Sequence, residues 1–380
     1  MHICFITSEF PKADFPHGGV GTFVSTLGRV LVAKGIQVSV IGLNYIDKEE
    51  TENIDGVIVH RIIAKKLKGL QWLLNTQAIA HKIKQVHQQQ PIDIVETAEL
   101  GLAFLPKLKG IKYIIRLHGG HHFFAEGENR GINKWKGFQE KHSFKKANAF
   151  IAVSEYVKSH TSKYLSYNNK LVQTIHLPID FSKFYPADST KVEPKSIVFA
   201  GTVCEKKGIR QLILSMAYIK EKFPEAILHI YGRDWLFPDK SSYIAYLKKN
   251  LSLKDLENVI FHGAVSHDGL PKIYEKAEVC AFPSHMETQG LVAPEAMSMQ
   301  KPVVFTIAGP GPETIVDYQT GLLADPHDPK DIADKIIWFF EHPEQALEIG
   351  RNAREFVLQK FDVDIIVARN IEGYKRIISI

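Results

Sequence analysis

Cysteine is scarce in this sequence of 380 residues, which contains only Cys4, Cys204 and Cys280. Three cysteines scattered along a chain cannot form a disulfide framework, and their spacing does not match a zinc site. Two of them lie in apolar runs of strand length. We therefore expect three reduced core thiols, which is usual for a cytoplasmic protein.

Long apolar runs are also missing. No run approaches the ~20 residues that a membrane-spanning helix needs. The first nine residues, MHICFITSE, contain no basic segment of the kind that begins a signal peptide. We expect a cytoplasmic protein whose only membrane contact, if any, is peripheral and at the inner face.

The sequence lacks motifs for a dinucleotide cofactor or a metal. The loop at 18–21 is Gly-Gly-Val-Gly and not G-x-G-x-x-G. No Asp-x-Asp pair stands at a predicted strand end, where it could hold Mg²⁺ on a diphosphate. His118, His121 and His122 follow one another at spacings that fit no regular zinc pattern. We expect no cofactor and no bound metal.

Charge is unevenly distributed along the chain. Residues 1–180 contain 23 Lys and Arg against 15 Asp and Glu, a net charge of +8; residues 181–380 contain 24 against 27, a net charge of −3, and the two sum to +5. The basic excess clusters near Trp72 and Trp135. Such segments can lie on an anionic membrane surface, but they are also typical of a solvated helix face over a core stripe. We favour the helix face, and we expect no nucleic-acid partner.

Short apolar runs alternate with helical patterns along the whole chain, which is typical of parallel, doubly wound sheets. The predicted strands are 3–6, 38–41, 57–62, 92–95, 113–117 and 149–153 in the first half, and 196–200, 226–231, 259–261, 279–282 and 302–305 in the second. A polar stretch at 187–195 has linker composition, and 380 residues suit two domains. We predict an α/β protein with two doubly wound domains that meet near residue 178.

The segment 281–313, AFPSHMETQGLVAPEAMSMQKPVVFTIAGPGPE, combines three acidic residues with a helix start and a glycine-rich turn. Glu287 lies in a loop after a strand, and Pro294 falls in the first turn of a helix that contains Glu295. A helix N-terminus presents unpaired N–H groups and partial positive charge, which suits a diphosphate. Glu313 follows the next strand, at the edge where open α/β sheets bind ligands.

This order of motifs resembles the retaining, metal-independent glycosyltransferases of the GT-B fold, specifically glycosyltransferase family 4 (glycosyl transferases group 1). The pattern is Pro-Ser, Glu287, seven residues, Glu295-Ala-Met, Lys-Pro-Val-Val, the turn with Glu313, and Thr320-Gly-Leu-Leu. The resemblance covers essentially the whole chain. It implies two Rossmann-like domains facing across a cleft: 1–178 on the acceptor side, joined by 362–380 crossing back, and 179–361 on the donor side.

The resemblance also implies the reaction. A sugar would pass from a nucleotide-diphosphate sugar to a hydroxyl acceptor with retention, in bacterial-type synthesis of a polysaccharide, glycolipid or glycoconjugate. We expect a UDP-sugar, with a GDP-sugar as the alternative, and a carbohydrate, lipid-linked or small-molecule acceptor. The implied catalytic residues are His118 and Glu287; the implied donor-binding residues are Gly19, Thr202, Lys206, Lys207, Thr288, Gln289, Gly290, Leu291, Glu295 and Glu313.

The chain departs from the family pattern at Thr202. In the family, the loop after the first strand of the second domain has Gly-Arg, a few residues and Lys-Gly, and both cations bind the donor diphosphate. Lys207 matches the lysine, but Thr202 occupies the arginine position. Either Lys206 supplies the missing charge, or Thr202 contributes only a hydroxyl.

Two other functions stay open at this point. A nucleotide-sugar 2-epimerase also has two doubly wound domains and needs no acceptor, although the glutamate pattern and Thr320-Gly-Leu-Leu resemble family 4 more closely. A non-catalytic nucleotide-sugar-binding partner of another transferase is the second, and Thr202 is its best argument. Slow release of free sugar without an acceptor would favour the transferase.

Overall fold

The computed structural model describes residues 1–13, 15, 18–127 and 130–380. The chain divides into two compact units: unit 1 contains Met1–Pro178 and Val363–Ile380, and unit 2 contains Ile179–Asp362. Asp362 belongs to unit 2 because it forms a parallel bridge with Ile179. Unit 2 therefore ends one residue later than the predicted 361.

Unit 1 is built on an eight-stranded sheet with the order β3-β4-β2-β1-β5-β6-β7-β8, in which only the β3–β4 pair is antiparallel. Its elements before the linker are β1 (His2–Ile6), α1 (Gly19–Ala33), β2 (Gln37–Leu43), β3 (Glu50–Ile54), β4 (Val57–Ile62), α2 (Gln71–Gln89), β5 (Ile94–Thr97), β6 (Lys112–Leu117), α3 (His121–Gly127), α4 (Lys134–Lys146), β7 (Ala149–Ala152), α5 (Glu155–Ser162) and β8 (Val172–Thr174).

Unit 2 is built on a six-stranded parallel sheet with the order β11-β10-β9-β12-β13-β14. Its elements are β9 (Ser196–Ala200), α6 (Ile209–Lys222), β10 (Ile227–Tyr231), α7 (Tyr243–Asn250), β11 (Val259–Gly263), α8 (Leu270–Lys276), β12 (Val279–Phe282), α9 (Val292–Ser298), β13 (Val303–Thr306), α10 (Gly311–Thr314), β14 (Leu322–Ala324), α11 (Pro329–Glu341) and α12 (Pro343–Phe361). The chain then ends in α13 (Val363–Ser379), which belongs to unit 1.

Both sheets have a point at which the strand order reverses. In unit 2 this switch point lies between β9 and β12, and in unit 1 it lies between β1 and β5. The loops that leave two such strands diverge to opposite faces and open a crevice at the carboxyl edge, where α/β sheets bind ligands. Each unit therefore has one topologically favoured binding position.

The central strands are mainly apolar, as two covered faces require. Every residue of β9, β12 and β13 is buried. The amphipathic helix predicted after the first loop is α1, whose buried side includes Phe23, Leu27 and Leu31. The predicted α/β class with two doubly wound parallel sheets is confirmed.

The strand predictions were wrong where polar residues carry the pairing. The edge strand β3, with the sequence ETENI, was not predicted because it is mostly exposed and contains two glutamates. Strands β8 and β14 were missed for another reason: each has only three residues, too few to show a pattern. Strand β5 begins at Ile94, two residues after the predicted start, and continues through Glu96. The sequence could not show that Glu96 is buried, because its partner Arg116 lies on the neighbouring strand.

The basic segments of unit 1 were expected to cover a core stripe, but their aromatic residues are largely exposed. Trp72, Trp135 and Phe138 are 37%, 47% and 53% exposed. They stack around Phe104 instead, with ring centroids 4.4 Å from Trp72 and 5.7 Å from Trp135. These rings pack on each other because α2 and α4 bring them together at the surface.

No helix among the described residues has the length and apolarity needed to cross a bilayer.

Candidate active site

Lys207 and Glu287 meet at the switch point of unit 2. Lys207 ends a short 3₁₀ turn after β9, and Glu287 lies in the loop after β12. The Lys207 ammonium donates a hydrogen bond to Oε1 of Glu287 at 2.5 Å, and the Ser284 hydroxyl donates to the same oxygen at 2.9 Å. Glu287 is buried. The structure thus pairs the predicted cation with the predicted carboxylate and adds Ser284 as a second donor.

The loop that carries Lys207 is held by Glu205. Its carboxylate accepts hydrogen bonds from Nη2 of Arg210 at 2.7 Å and from the Tyr243 hydroxyl at 2.5 Å. Burial alone would raise the pKa of Glu205, but these hydrogen bonds outweigh burial and bring the pKa to about 2. Gly208, with φ +69°, follows the turn, and a Cβ there would lie 1.8 Å from the carbonyl oxygen of Pro283. Glycine is therefore needed for the two loops to approach this closely.

The predicted donor-binding turn connects Glu287 to α9. It consists of Thr288, Gln289, Gly290 and Leu291. Gly290 has φ +75°, and a Cβ there would lie 2.7 Å from the Phe305 ring and 3.4 Å from Cγ of Glu287. The glycine therefore permits both the left-handed backbone and the close packing beside the carboxylate.

Glu295 is buried on α9 and pairs with His267, which the sequence analysis missed. The distance from His267 Nε2 to Glu295 Oε1 is 2.9 Å. This hydrogen bond outweighs burial and raises the pKa of His267. The imidazole also packs edge-on against Phe184, with 5.3 Å between centroids. No local signal marks His267, because a lone histidine beside a turn glycine is common; the structure gives Glu295 a partner of its own, separate from the Lys207 pair.

Thr202 lies beside Arg233, a second residue that the sequence analysis missed. Nε of Arg233 is 3.5 Å from Oγ1 of Thr202. The backbone N–H of Val203 donates to the carbonyl of Arg233 at 2.9 Å, which extends the β9–β10 pairing past the strand ends. A Cβ at Gly232 would lie 1.6 Å from the carbonyl oxygen of Gly201. Because Gly232 has no Cβ, the two strand ends can lie side by side. Arg233 then lies against Thr202.

Lys206 and Glu313 lie at the same edge of the sheet. The carbonyl of Lys206 accepts a hydrogen bond from the N–H of His285 at 2.9 Å, which ties the loop after β9 to the loop after β12. Glu313 is half-buried in α10, directly after β13, and its main-chain carbonyl accepts from Lys360 of α12. Both residues are thus placed after parallel strands, as their sequence positions predict.

His118 lies at the carboxyl end of β6 in unit 1. Its ring packs against Phe23 of α1, with 5.3 Å between centroids. Burial, followed by the positive charge of Arg116, lowers the pKa of His118 to about 3. At neutral pH the imidazole is therefore uncharged, with one nitrogen able to donate a hydrogen bond and the other able to accept one.

The predicted glycine of unit 1, Gly19, is the first residue of α1. No described atom outside its neighbours lies within 4 Å of a Cβ built there, whereas a Cβ at Gly21 would lie 1.9 Å from the carbonyl oxygen of Glu9. Packing in the described structure therefore requires glycine at 21 and leaves Gly19 free to face a ligand. His17, which precedes these glycines, lies outside the described residues.

The histidines that follow His118 have partners within unit 1. Nε2 of His121 accepts from the N–H of Asn133 at 2.8 Å, and Nδ1 of His122 is hydrogen-bonded to Glu140. No group of three or more His, Cys, Asp or Glu side chains in the described ranges is arranged to hold a metal ion. These two rings serve the packing around α3 and α4.

Two family models together match most of the chain. The model of Glycosyltransferase Family 4 matches residues 17–183, and the model of Glycosyl transferases group 1 matches residues 182–356. N-acetyl-alpha-D-glucosaminyl L-malate synthase of Bacillus anthracis is 24% identical over 371 residues, which cover 93% of this chain and 92% of that protein.

Solved structures show the same fold. Sucrose-phosphate synthase from Thermosynechococcus elongatus is 22% identical with a TM-score of 0.85, and the match covers 100% of this chain and 99% of that one. Anabaena HepE, solved in complex with UDP and glucose, is 18% identical with a TM-score of 0.78, covering 99% and 100%. On the two family models and this shared GT-B fold, the chain belongs to glycosyltransferase family 4 and is a nucleotide-sugar glycosyltransferase.

Proposed function

We propose that this glycosyltransferase moves a sugar from a UDP-sugar to a hydroxyl acceptor with retention of anomeric configuration and without a metal ion. The observation that carries the proposal is the Lys207–Glu287 pair at the switch point of unit 2. A cation and a carboxylate on adjoining loops suit a diphosphate and the sugar attached to it. UDP is favoured over GDP because the structural relative from Anabaena is described with UDP and glucose.

In this proposal, the bond between the anomeric carbon and the diphosphate oxygen breaks while the acceptor oxygen bonds to the same face of that carbon. The acceptor proton passes to the leaving phosphate oxygen, so the products are a glycoside and the nucleoside diphosphate. Lys207 stabilises the charge that develops on the diphosphate. Glu287 faces the anomeric carbon, and the neutral His118 hydrogen-bonds to the transferred sugar.

The remaining donor contacts follow the family pattern. We assign the ribose hydroxyls to Glu295, whose carboxylate is already held by His267. The turn from Thr288 to Leu291, Glu313 and Gly19 complete the donor site. The product would enter a bacterial-type polysaccharide, glycolipid or glycoconjugate.

Arg233 is our proposed replacement for the arginine that the family has at Thr202. Its guanidinium lies beside the Thr202 hydroxyl and is exposed at the carboxyl edge. An arginine binds a diphosphate through several parallel hydrogen bonds, which a single hydroxyl cannot do. We favour Arg233 over Lys206 because its charged group lies next to Thr202, the position at which the family has its arginine.

Peripheral membrane contact is a further part of the proposal. The exposed rings of Trp72, Trp135 and Phe138 lie among exposed lysines of α4 and of the segment before α2. Aromatic rings and lysines together suit an anionic lipid surface. Sedimentation with vesicles of phosphatidylcholine, with and without phosphatidylserine, would test it: equal recovery of wild-type protein and Trp135→Ser with both kinds of vesicle would contradict membrane contact.

A transfer assay tests the central proposal. UDP-sugars and GDP-sugars are incubated with the protein and a panel of hydroxyl acceptors in excess EDTA, and the product is analysed by NMR for its anomeric configuration. We expect turnover with a UDP-sugar, retention, and slow release of free sugar when no acceptor is present. Loss of turnover in EDTA that Mg²⁺ or Mn²⁺ restores would exclude metal independence, and an inverted product would exclude retention.

A further inference from the structure

Unit 1 contains a cavity of about 450 Å³ at the carboxyl edge of its sheet. Its floor is formed by segments 6–8, 97–101 and 119–121, which end or follow β1, β5 and β6. Phe124, Arg130 and Lys136 complete the wall. The cavity therefore opens at the β1–β5 switch point, and its volume suits a small molecule.

Glu99 is the unusual residue of the floor. Its side chain is buried, and Oε1 has no hydrogen-bonding partner among the described residues. The backbone N–H groups of His118 and Gly119 lie beside the carboxyl, and a Cβ at Gly120 would lie 2.9 Å from Cγ of Glu99. Burial raises the pKa of Glu99 to about 8. At neutral pH this carboxyl is therefore protonated, and it can both donate and accept a hydrogen bond.

The wall of the cavity is positively charged. Burial lowers the pKa of His121, and the charges of Arg130 and Lys136 lower it further, so both cations lie near that ring. The carboxylate of Glu140 packs against Gly120, but it is held by the N–H of His121 at 2.8 Å and by the N–H of His122 at 3.0 Å. The cavity is thus lined by Glu99, whose buried carboxyl has one oxygen without a partner among the described residues, and by two cations.

We propose that this cavity is the acceptor site, and that the acceptor is a small hydroxyl compound with a carboxylate or phosphate group. Its hydroxyl contacts Glu99, and its anionic group contacts Arg130 and Lys136. A buried polar atom without a partner is unfavourable, and an acceptor hydroxyl at Oε1 would remove that penalty. The inference rests on the proposed glycosyltransferase function and narrows the acceptor from any hydroxyl compound to an anionic one.

Matched pairs of probes separate the two contacts. Malate and succinate differ only in a hydroxyl, and glycerol 3-phosphate and glycerol differ only in the anionic group. Dissociation constants are measured by ligand-observed NMR on the full chain without a donor. We expect malate to bind about tenfold more tightly than succinate, and glycerol 3-phosphate about tenfold more tightly than glycerol, which is the scale of one hydrogen bond to a charged or buried group.

Variants assign these preferences to residues. Glu99→Met should abolish the preference for malate over succinate, whereas Glu99→Gln, which keeps a donor and an acceptor, should retain most of it. Lys136→Ala and Arg130→Ala should each weaken the binding of the three anionic probes, malate, succinate and glycerol 3-phosphate, about tenfold. Lys134→Ala is the matched control, because Lys134 lies on the same helix but does not line the cavity. This variant should not change the affinity for any of the probes.

The pH dependence gives a readout that a purely structural role of Glu99 would not produce. Ionisation of Glu99 above pH 8 places a negative charge at the floor, so wild-type affinity for malate should fall between about pH 7 and pH 9. The other ionisable groups that act on Glu99 are Glu140 and Tyr167. Burial raises the pKa of Tyr167, so it stays neutral in this range. The Gln variant should not show the fall.

The outcomes distinguish this inference from the function on which it rests. If the chain binds UDP but none of the anionic probes, or binds them equally after Glu99→Met and Lys136→Ala, the acceptor inference is overturned and the proposed transferase stands. Binding of neutral glycerol as tightly as glycerol 3-phosphate would overturn it as well. Binding of malate without binding of any nucleoside diphosphate would overturn the proposed function itself.

Discussion

Glu287 and Glu295 are buried carboxylates only eight residues apart, but each has its own partner. Glu287 is paired with Lys207, and Glu295 is hydrogen-bonded to His267. If Glu295 binds the ribose, its contact is the same in the ground state and in the transition state. If Glu287 faces the anomeric carbon, its contact strengthens as positive charge develops there. Only the second kind of contact accelerates the chemical step.

The two glutamates should therefore give different kinetic signatures. Glu295→Ala should mainly raise the donor KM, with a loss of about 1.5–3 kcal/mol, the range for hydrogen bonds to charged groups. Glu287→Gln keeps the shape and removes the charge, so it should lower kcat. It should leave affinity for free nucleoside diphosphate unchanged or slightly improved, because Lys207 loses its internal counter-ion.

Steady-state kinetics and a nucleoside diphosphate titration of both variants check these roles. The assignment is wrong if Glu287→Gln weakens the free diphosphate as much as Glu295→Ala does while kcat stays at the wild-type value.

Arg233 can be tested by moving the charge back to its family position. Arg233→Ala should weaken nucleoside diphosphate binding by about 1.5–3 kcal/mol, since it removes a cation from the diphosphate. Adding Thr202→Arg to that variant should restore much of the affinity, because the two side chains lie next to each other. Titration with UDP measures both effects, and Lys206→Ala serves as the comparison. Full affinity in Arg233→Ala together with a loss in Lys206→Ala would assign the role to Lys206.

His267 should make the stability of unit 2 depend on pH. Its pKa in the folded protein is raised above 6.5 by Glu295. The pair therefore contributes stability that is fully present below pH 6.5 and is lost as the pH rises through the folded pKa. The difference in unfolding free energy between wild type and His267→Asn should be largest below pH 6.5 and should shrink as the pH rises above it. A difference that does not change with pH would contradict the raised pKa of His267.

At the scale of elements, a buried polar network fixes α13 to the sheet of unit 1. Arg116 on β6 donates to Glu96 on β5 at 2.5 Å and to Asn370 on α13 at 2.7 Å. The hydroxyl of Tyr374 donates to the same glutamate at 2.7 Å. All four side chains are buried. Because a buried charge depends on its partners, this network selects one position for the C-terminal helix.

Removing Arg116 alone should lower the stability of unit 1 far more than removing both partners of the Arg116–Glu96 ion pair. Arg116→Met leaves the Glu96 charge buried and should destabilise unit 1 by about 3–5 kcal/mol, whereas Arg116→Met with Glu96→Leu should recover a large part of that loss. The matched control is Asp364→Ala, which removes an exposed ion pair between the same helix and Lys34 and should change stability by about 0–1 kcal/mol. Urea unfolding measures all three. Equal losses for the single and double variants would contradict this account.

At the scale of the whole molecule, two units with separate hydrophobic cores should respond separately to ligands. The proposed donor-binding residues after β9 and β12 all lie in unit 2. A nucleoside diphosphate at 100 times its Kd should add about 2.7 kcal/mol to the stability of the unit that binds it. Hydrogen exchange with UDP in excess EDTA should therefore slow in β9 and β12 and remain unchanged in β2 and β4. Protection confined to unit 1 would contradict a donor site in unit 2.

The sequence by itself determined the features that local pattern records. Apolar runs such as Val279–Phe282 predicted strands because a strand covered on both faces must be apolar along its length. Motif spacing placed Glu287, Glu295 and Lys207 after strands, and the resemblance to family 4 gave them roles. Local pattern did not predict the polar strands, because the sequences of β3 and of the end of β5 do not show which polar residues are buried.

The tertiary structure alone decided which polar groups meet. Lys207 and Glu287 are 80 residues apart, and Arg116 and Tyr374 are 258 apart. His267 and Arg233 carry no local signal, and they lie beside Glu295 and Thr202 only because the sheet brings their loops there. The periodicity of a sequence records which apolar side chains will be buried. It does not record which distant partner will satisfy a polar side chain, because strand order and loop approach set that contact.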